Sequence, residues 1–145
     1  MSSSATVAAE QIAATRAWVE AFFKEYDSPN IQDWVMKYFE SDATLSMRDL
    51  SPLKGHKEIC DYVIEEHAQV PIIKHDINYV HVLPDQIYVQ KDSTGIATND
   101  PERKEITAKL FCVFWKKIDK DRLTSLDIYF DASHLPESIQ MYKSK

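Results

Sequence analysis

The hydrophobic pattern of the chain changes at Pro71, and this change constrains the fold more than any other feature. Before Pro71, apolar residues recur every three or four positions, which predicts three amphipathic helices. After it, four segments rich in Ile, Val, Tyr, Phe and Trp predict strands that pair antiparallel across short turns. The helical stripes are Ile12, Val19, Phe22, Phe23 and Tyr26; Ile31, Trp34, Val35 and Tyr38; and Ile59, Tyr62, Val63, His67 and Val70; the strands are residues 72–83, 86–91, 105–118 and 123–131.

Local signals predict where these elements end. Helix 1 should end near Asp27, and Ser28-Pro29 then offers an N-cap and a first-turn proline for helix 2. Residues 42–47 alternate and are too few for a helix, so they predict another strand, followed by a loop over 49–55. The resulting order, helix, helix, strand, helix and four strands, predicts one α+β domain over residues 1–145. Residues 1–6 are expected to be disordered.

Glycine and cysteine are too scarce for several common sites. The two glycines, Gly55 and Gly95, lie forty positions apart, which excludes a Rossmann fingerprint and a P-loop. The two cysteines, Cys60 and Cys112, cannot form a four-cysteine zinc site or a disulfide scaffold. We interpret them as reduced, buried thiols of an intracellular protein.

Charge and hydropathy limit the partners. The chain carries 23 carboxylates against 17 Lys and Arg, a net charge of −6, which disfavours nucleic acid. No apolar run approaches the roughly eighteen residues that cross a bilayer, and the N-terminus lacks the pattern of a signal peptide. We therefore expect a cytoplasmic protein with no membrane contact.

Several short motifs occur in a fixed order along this α+β pattern. They are Tyr38-Phe39 before Asp42-Ala43-Thr44, Gly55-His56 at the start of helix 3, and Arg122-Leu123-Thr124 before Tyr129-Phe130-Asp131. In this order they resemble the nuclear-transport-factor-2-like (NTF2-like) superfamily, in its SnoaL-like and scytalone-dehydratase-like branches. The resemblance implies a cone-shaped α+β barrel, in which a curved sheet and three helices enclose a pocket. It does not fix a reaction, because this fold hosts isomerases, dehydratases, cyclases, epoxide hydrolases and proteins that only bind.

The scytalone-dehydratase-like branch implies catalytic residues here. Its Tyr-Asp pair at the end of the first helix resembles Tyr26-Asp27, and the histidine of its second strand resembles His75. His75 would act as general acid/base, Tyr26 would orient a substrate oxygen or a water, and Asp27 would support the histidine. The family's second histidine and second tyrosine correspond to Ile106 and Arg48, so only half of that site is present.

Two other branches lack their acids in this chain. The catalytic Asp of ketosteroid-isomerase-like members corresponds to Met47, with Asp49 just beyond the strand. One Asp of the epoxide-hydrolase-like set corresponds to Ile128, and the other two positions fall near Lys91 and Ser93. Asp49 and Lys91 therefore remain candidates at the pocket rim, and His75 is the best proton-transfer group left.

Strand alternation predicts which residues face the pocket. If His75 points inward, Ile77, Tyr79 and His81 follow it. The opposite face of the sheet carries Phe111, Val113, Trp115 and Tyr129, an apolar row that predicts a homodimer through the sheet. The predicted pocket is largely apolar, and the residues expected to line it are Met47, Tyr79, Ile106, Leu110, Phe114, Leu126 and Ile128.

We expect neither a metal nor a cofactor. His75 and His81 lie six positions apart on one strand, roughly 20 Å, too far to share an ion. The function favoured by these residues is a cofactor-independent lyase or isomerase, dehydratase- or cyclase-like, acting on a small apolar polyketide- or terpenoid-like compound. The alternative is a non-catalytic hydrophobic-ligand carrier or dimeric adaptor, in which His75 and Tyr26 are structural and Asp27 belongs to a turn.

Overall fold

Three helices pack against one face of a six-stranded sheet, which we call the inner face. The computed structural model describes residues 6–47 and 51–130. Residues 1–5, Arg48, Asp49 and the predicted strand end at Asp131 therefore lie outside the described residues. The elements are α1 (Ala9–Tyr26), α2 (Ile31–Tyr38), β1 (Phe39–Met47), β2 (Leu53–Lys54), α3 (Gly55–Gln69), β3 (Ile72–Val82), β4 (Gln86–Ile96), β5 (Glu105–Trp115) and β6 (Leu123–Phe130).

The sheet is mixed and open. Its strand order is β2-β1-β6-β5-β4-β3, in which β1 runs parallel to β6 and every other pair is antiparallel. Among the described strands, β2 and β3 form the two edges and do not pair with each other. The predicted α+β class is therefore confirmed, but the sheet forms an open cone rather than a closed barrel.

Two boundaries differ from the sequence-based expectation. Strand β4 continues past Lys91 to Ile96, because its pairing with β5 extends to Glu105 and the hydroxyls of Thr94 and Thr107 lie 2.9 Å apart. Helix α2 begins at Ile31 rather than at Pro29. The Ser28 hydroxyl accepts a hydrogen bond from the backbone N–H of Asn30 at 3.2 Å, so it stabilises the turn before the helix.

A bulge in β3 reverses the predicted orientation of its second half. Ile77 pairs with Lys91 whereas Tyr79 pairs with Gln90, so Asn78 is an extra residue without a partner on β4. One extra residue exchanges the two faces of a strand. His75 and Ile77 therefore lie on the inner face as predicted. The expectation for Tyr79 and His81 was wrong, since both lie on the outer face.

The core is a cluster of aromatic rings between α1, α2 and the inner face. Phe22 contacts Trp34, Phe39 and Phe114 with ring centroids 4.9–5.9 Å apart. The Trp34 indole N–H donates to the backbone oxygen of Phe22 at 2.9 Å, which satisfies its polar group in the core. Phe114 is fully buried in this cluster. It therefore fills the core and does not line the pocket, contrary to expectation.

Gly95 lies where β4 passes under the chain that leaves α3. A Cβ atom at this position would be 2.9 Å from the Pro71 oxygen and 3.0 Å from Val70 Cγ1. We predict that Gly95→Ala lowers the free energy of unfolding by about 1–3 kcal/mol, because backbone and packed side chain must both shift. Urea denaturation measures it. Gln90→Ala on the exposed face of the same strand is the control, expected within about 0.5 kcal/mol of wild type; a Gly95→Ala variant as stable as the control would contradict the prediction.

Candidate active site

A cavity of about 180 Å³ lies between the helices and the inner face of the sheet. Its wall is mostly aromatic and aliphatic, the usual composition of a small-molecule site. Five of the seven residues predicted to line the cavity are in its wall. Tyr26 also lines it, whereas Tyr79, Phe114, His75 and Asp27 do not. The five are Met47, Ile106, Leu110, Leu126 and Ile128.

A few polar side chains interrupt this wall. Tyr62 and Glu66 of α3 line it together, and the Tyr62 hydroxyl donates to Glu66 Oε1 at 2.9 Å. Lys91 and Ser93 reach it from β4. The Tyr26 hydroxyl makes no hydrogen bond to the described part of the chain. This hydroxyl is therefore available to a bound molecule.

Tyr26, Asp27 and His75 come together at one end of the cavity. The His75 and Tyr26 rings lie edge to face with centroids 6.0 Å apart. His75 Nε2–H donates to Asp27 Oδ1 at 3.1 Å, and His75 Nδ1 accepts from Lys91 Nζ. Both contacts are satisfied by the neutral tautomer with its proton on Nε2. Asp27, His75 and Lys91 thus form a hydrogen-bonded chain, the relay, and Lys91 is its member in the cavity wall.

Lys91 is 2% exposed, and its Nζ lies 3.9 Å from the centroid of the Phe23 ring. Burial lowers the pKa of Lys91 to about 8, and Cys112 and Asp27 oppose this only in part. Burial also lowers the pKa of His75, as does the neighbouring charge of Lys91, while the hydrogen bond to Asp27 opposes the decrease. At neutral pH the relay therefore carries its proton on Lys91 and leaves His75 neutral.

The neighbouring groups keep their protons more tightly than usual. Burial raises the pKa of Tyr26 above its ordinary value, and it raises the pKa of the Cys112 thiol to about 12. Tyr26 can therefore donate a hydrogen bond without ionising near neutral pH. Burial lowers the pKa of His67, whose ring lies 4.5 Å from the Tyr26 ring and whose Nε2 has no partner among the described residues.

Sequence reasoning underrated two of these residues. The resemblance indicates Lys91 only as a candidate at the rim, whereas the alternation of Ile87, Val89 and Lys91 is the signal that it faces inward. His67 was interpreted as part of the helix-3 core stripe, and no pattern distinguishes a histidine beside a cavity from one in a core. Within residues 6–47 and 51–130, no cluster of three His, Cys, Asp or Glu side chains could hold a metal ion. No helix in those ranges is long and apolar enough to cross a membrane.

Solved structures with the same fold are numerous, although no protein-family model and no curated protein matches the sequence. A putative isomerase from Bacillus subtilis superposes with a TM-score of 0.74 at 11% identity, over 90% of this chain and 95% of that chain. A putative SnoaL-like polyketide cyclase from Jannaschia sp. CCS1 gives 0.71 at 12% identity, over 88% and 90%. A hypothetical protein from Catenulispora acidiphila with a ketosteroid isomerase-like fold, in complex with trimethylamine, gives 0.70 at 14% identity, over 81% and 88%.

These similarities define the fold and leave the reaction open. The chain has the cone-shaped α+β fold of the NTF2-like superfamily, as its sequence motifs implied. Identities of 11–14% carry no substrate or catalytic role from those proteins to this one.

We predict that Lys91→Met stabilises the protein below pH 8. The folded-state pKa of Lys91 is about 8 against an ordinary 10.5, so the charged form is penalised by on the order of 3 kcal/mol. Between pH 8 and 10.5 the unfolded chain binds the extra proton, so wild-type stability rises with pH and the advantage of the variant shrinks. Thermal unfolding at pH 7 and pH 10.5 measures this, with a gain of about 10 °C expected at pH 7.

The other titratable groups around Lys91 do not change this expectation. Burial lowers the pKa of His75, so this group titrates below the range from pH 8 to 10.5. Burial raises the pKa values of Tyr26 and Cys112. Asp27 adds a carboxylate on the far side of His75. Lys109→Met on the exposed outer face is the matched control, expected to leave stability nearly unchanged. An equal gain at both pH values would assign the effect to packing rather than to charge.

Proposed function

We propose that the protein is a cofactor-independent lyase or isomerase, dehydratase- or cyclase-like, that moves a proton on a small, mostly apolar compound inside the cavity. The observation that carries this proposal is the relay, which begins at Asp27 and ends at Lys91 in an apolar wall. A buried lysine without a contacting carboxylate destabilises a core. A perturbed titratable group in a cleft is typical of a functional site.

Each member of the relay has a distinct role in this proposal. Lys91, as the neutral amine, removes a proton from a carbon next to a carbonyl group, because it is the relay member that lines the cavity. His75 holds the amine and shares its proton, and Asp27 fixes the tautomer of His75. Tyr26 donates a hydrogen bond to the substrate oxygen, where negative charge develops. The same proton then returns to another carbon in an isomerisation, or leaves with a hydroxyl group in a dehydration.

The size of the cavity restricts the substrate. An apolar cavity of about 150 Å³ is large enough for benzene. A cavity of about 180 Å³ therefore suits a compound of about one ring, such as a small terpenoid-like ketone, rather than a multi-ring polyketide. The Catenulispora protein of the same fold was crystallised with trimethylamine, which is also a small molecule.

A non-catalytic carrier of apolar ligands is the second candidate. It is favoured by Met47 and Ile128, which line the cavity at positions where the resemblance would have put acids. A carrier needs only the apolar wall, whereas an enzyme also needs the relay. Variants of the relay therefore distinguish the two functions.

We predict that His75→Gln lowers turnover by about 10²–10⁴-fold once a single-ring ketone or alcohol has been identified by a thermal-shift screen. The loss should fall on kcat with KM nearly unchanged, because His75 does not line the cavity. His56→Gln is the matched control, since His56 lies at the start of α3, does not line the cavity, and bonds the Phe39 backbone oxygen through a nitrogen that a glutamine amide can replace. Unchanged kcat in His75→Gln would remove the relay from the mechanism, and ligand binding without turnover in wild type would favour the carrier.

We also propose that the outer face of the sheet binds a second copy of the chain. Five rings form a continuous row across β3 to β6, with neighbouring centroids 5.9–6.4 Å apart, and no described element covers them. The same face carries both signs of charge, including Asp92 and Lys109 opposite each other on β4 and β5, which suits a self-complementary twofold contact. The rings are Tyr79, His81, Tyr88, Phe111 and Tyr129.

We predict that Trp115→Glu dissociates this dimer. Trp115 is 40% exposed beside the aromatic row, and its indole N–H donates to Asp127 Oδ2 at 3.0 Å, so a carboxylate there introduces repulsion and an unpaired charge. Sedimentation velocity at micromolar concentration measures the change. Ile64→Glu, at an exposed apolar position on α3, is the control and should remain dimeric. A monomeric wild type would refute the proposed interface.

A further inference from the structure

Lys91 has the surroundings of a nucleophile as well as those of a base. Its Nζ contacts His75 Nδ1 and the face of the Phe23 ring. In the described part of the chain no carboxylate lies within 4 Å of Nζ. An ion pair would hold the group as an ammonium, whereas a desolvated amine beside a neutral imidazole can lose its proton and present a lone pair.

The cavity also contains a hydrogen-bond donor for the oxygen of a carbonyl group. Tyr26 lines the same cavity, and its hydroxyl has no hydrogen-bond partner among the described residues. A hydroxyl that keeps its proton can polarise a carbonyl oxygen and make the carbon more electrophilic. The apolar wall limits the access of water, which would otherwise hydrolyse an imine.

We propose that Lys91 Nζ condenses with the carbonyl carbon of a small aldehyde or ketone bound in the cavity and forms a Schiff base. This rests on the proposed function and deepens it by naming carbonyl compounds as the substrate class. An iminium ion acidifies the adjacent carbon more than a carbonyl group does, so the same residue serves both the binding and the proton transfer.

The step balances with groups that the site contains. The Lys91 ammonium passes one proton to His75 Nδ1, and its lone pair forms the N–C bond while the C=O π electrons move to oxygen. The amine nitrogen loses a second proton to that oxygen, which gives a neutral carbinolamine. His75 then returns its proton to the hydroxyl group, the C–O bond breaks, and water leaves. Ammonium and carbonyl compound are thereby converted into iminium ion and water, with no external oxidant or reductant.

Burial alone does not produce this arrangement, as a second buried lysine demonstrates. Lys116 is 5% exposed, and its Nζ lies 5.0 Å from the Trp18 ring. However, Lys116 donates to the backbone oxygen of Lys117 at 3.3 Å and does not line the cavity. Lys116 is therefore a matched control for the reactivity of Lys91.

The experiment is reductive trapping. The protein is incubated at pH 7.5 with benzaldehyde and cyanoborohydride, and the labelled lysines are identified by peptide mass mapping. We expect Lys91 to acquire one benzyl group on the order of 10²-fold faster than exposed lysines, because its neutral fraction is larger by about that factor. Lys91→Met should lose this label, and so should Lys91→Arg, which keeps a cation at the site. Lys116→Met should retain it.

A second measurement separates this inference from the proposed function. Cyclohexanone is incubated with the protein in D₂O, and exchange of its α-hydrogens is followed by NMR. Labelling confined to exposed lysines overturns the Schiff base. If exchange still occurs in that case and is lost in Lys91→Met, proton transfer by Lys91 stands without a covalent step. If neither exchange nor labelling of Lys91 occurs, the proposed function fails as well.

Discussion

The contact between Lys91 and His75 is the interaction on which the rest of the site depends. Buried amines are tolerated only where something replaces their lost hydration. Here the face of the Phe23 ring and His75 Nδ1 replace that hydration. The carboxylate of Asp27 contacts His75 rather than Lys91. That spacing keeps the pKa of Lys91 below its ordinary value, because a carboxylate in direct contact would stabilise the charged form. The mechanism we propose follows from this placement.

Three elements must be correctly placed for the whole relay to form. The antiparallel register puts Ile77 opposite Lys91 and His75 opposite Ser93, so the His75 and Lys91 side chains meet diagonally on the inner face. Helix α1 ends at Tyr26, and the next residue, Asp27, reaches His75. The site is therefore formed where an edge strand meets a helix end, away from Met47 and Ile128, the positions at which the resemblance implied acids.

Much of the architecture could be predicted because it depends on local periodicity. The three helical stripes and the alternating strands specify the α+β order, which the structure confirms. The sequence also selected Tyr26, Asp27 and His75 as neighbours, through the resemblance rather than through spacing. What it could not provide was the depth of a side chain along an inward face: Leu110 lines the cavity, and Phe114, four residues later on the same face, fills the core. The bulge at Asn78 could not be predicted either, because one extra residue does not change the composition by which a strand is recognised.

Because of the bulge at Asn78, the two halves of β3 face different surfaces of the protein. Alternate residues before Asn78 face inward, on the side of the helices and the cavity, and alternate residues after it face outward, in the aromatic row. Substitutions in one half can therefore alter ligand selectivity while leaving the other surface untouched, so the two properties can diverge independently in descendants of this chain. A single-residue insertion or deletion in the strand does the opposite. It exchanges the inward-facing and outward-facing residues of the strand at once, and so changes the cavity side and the outer surface together.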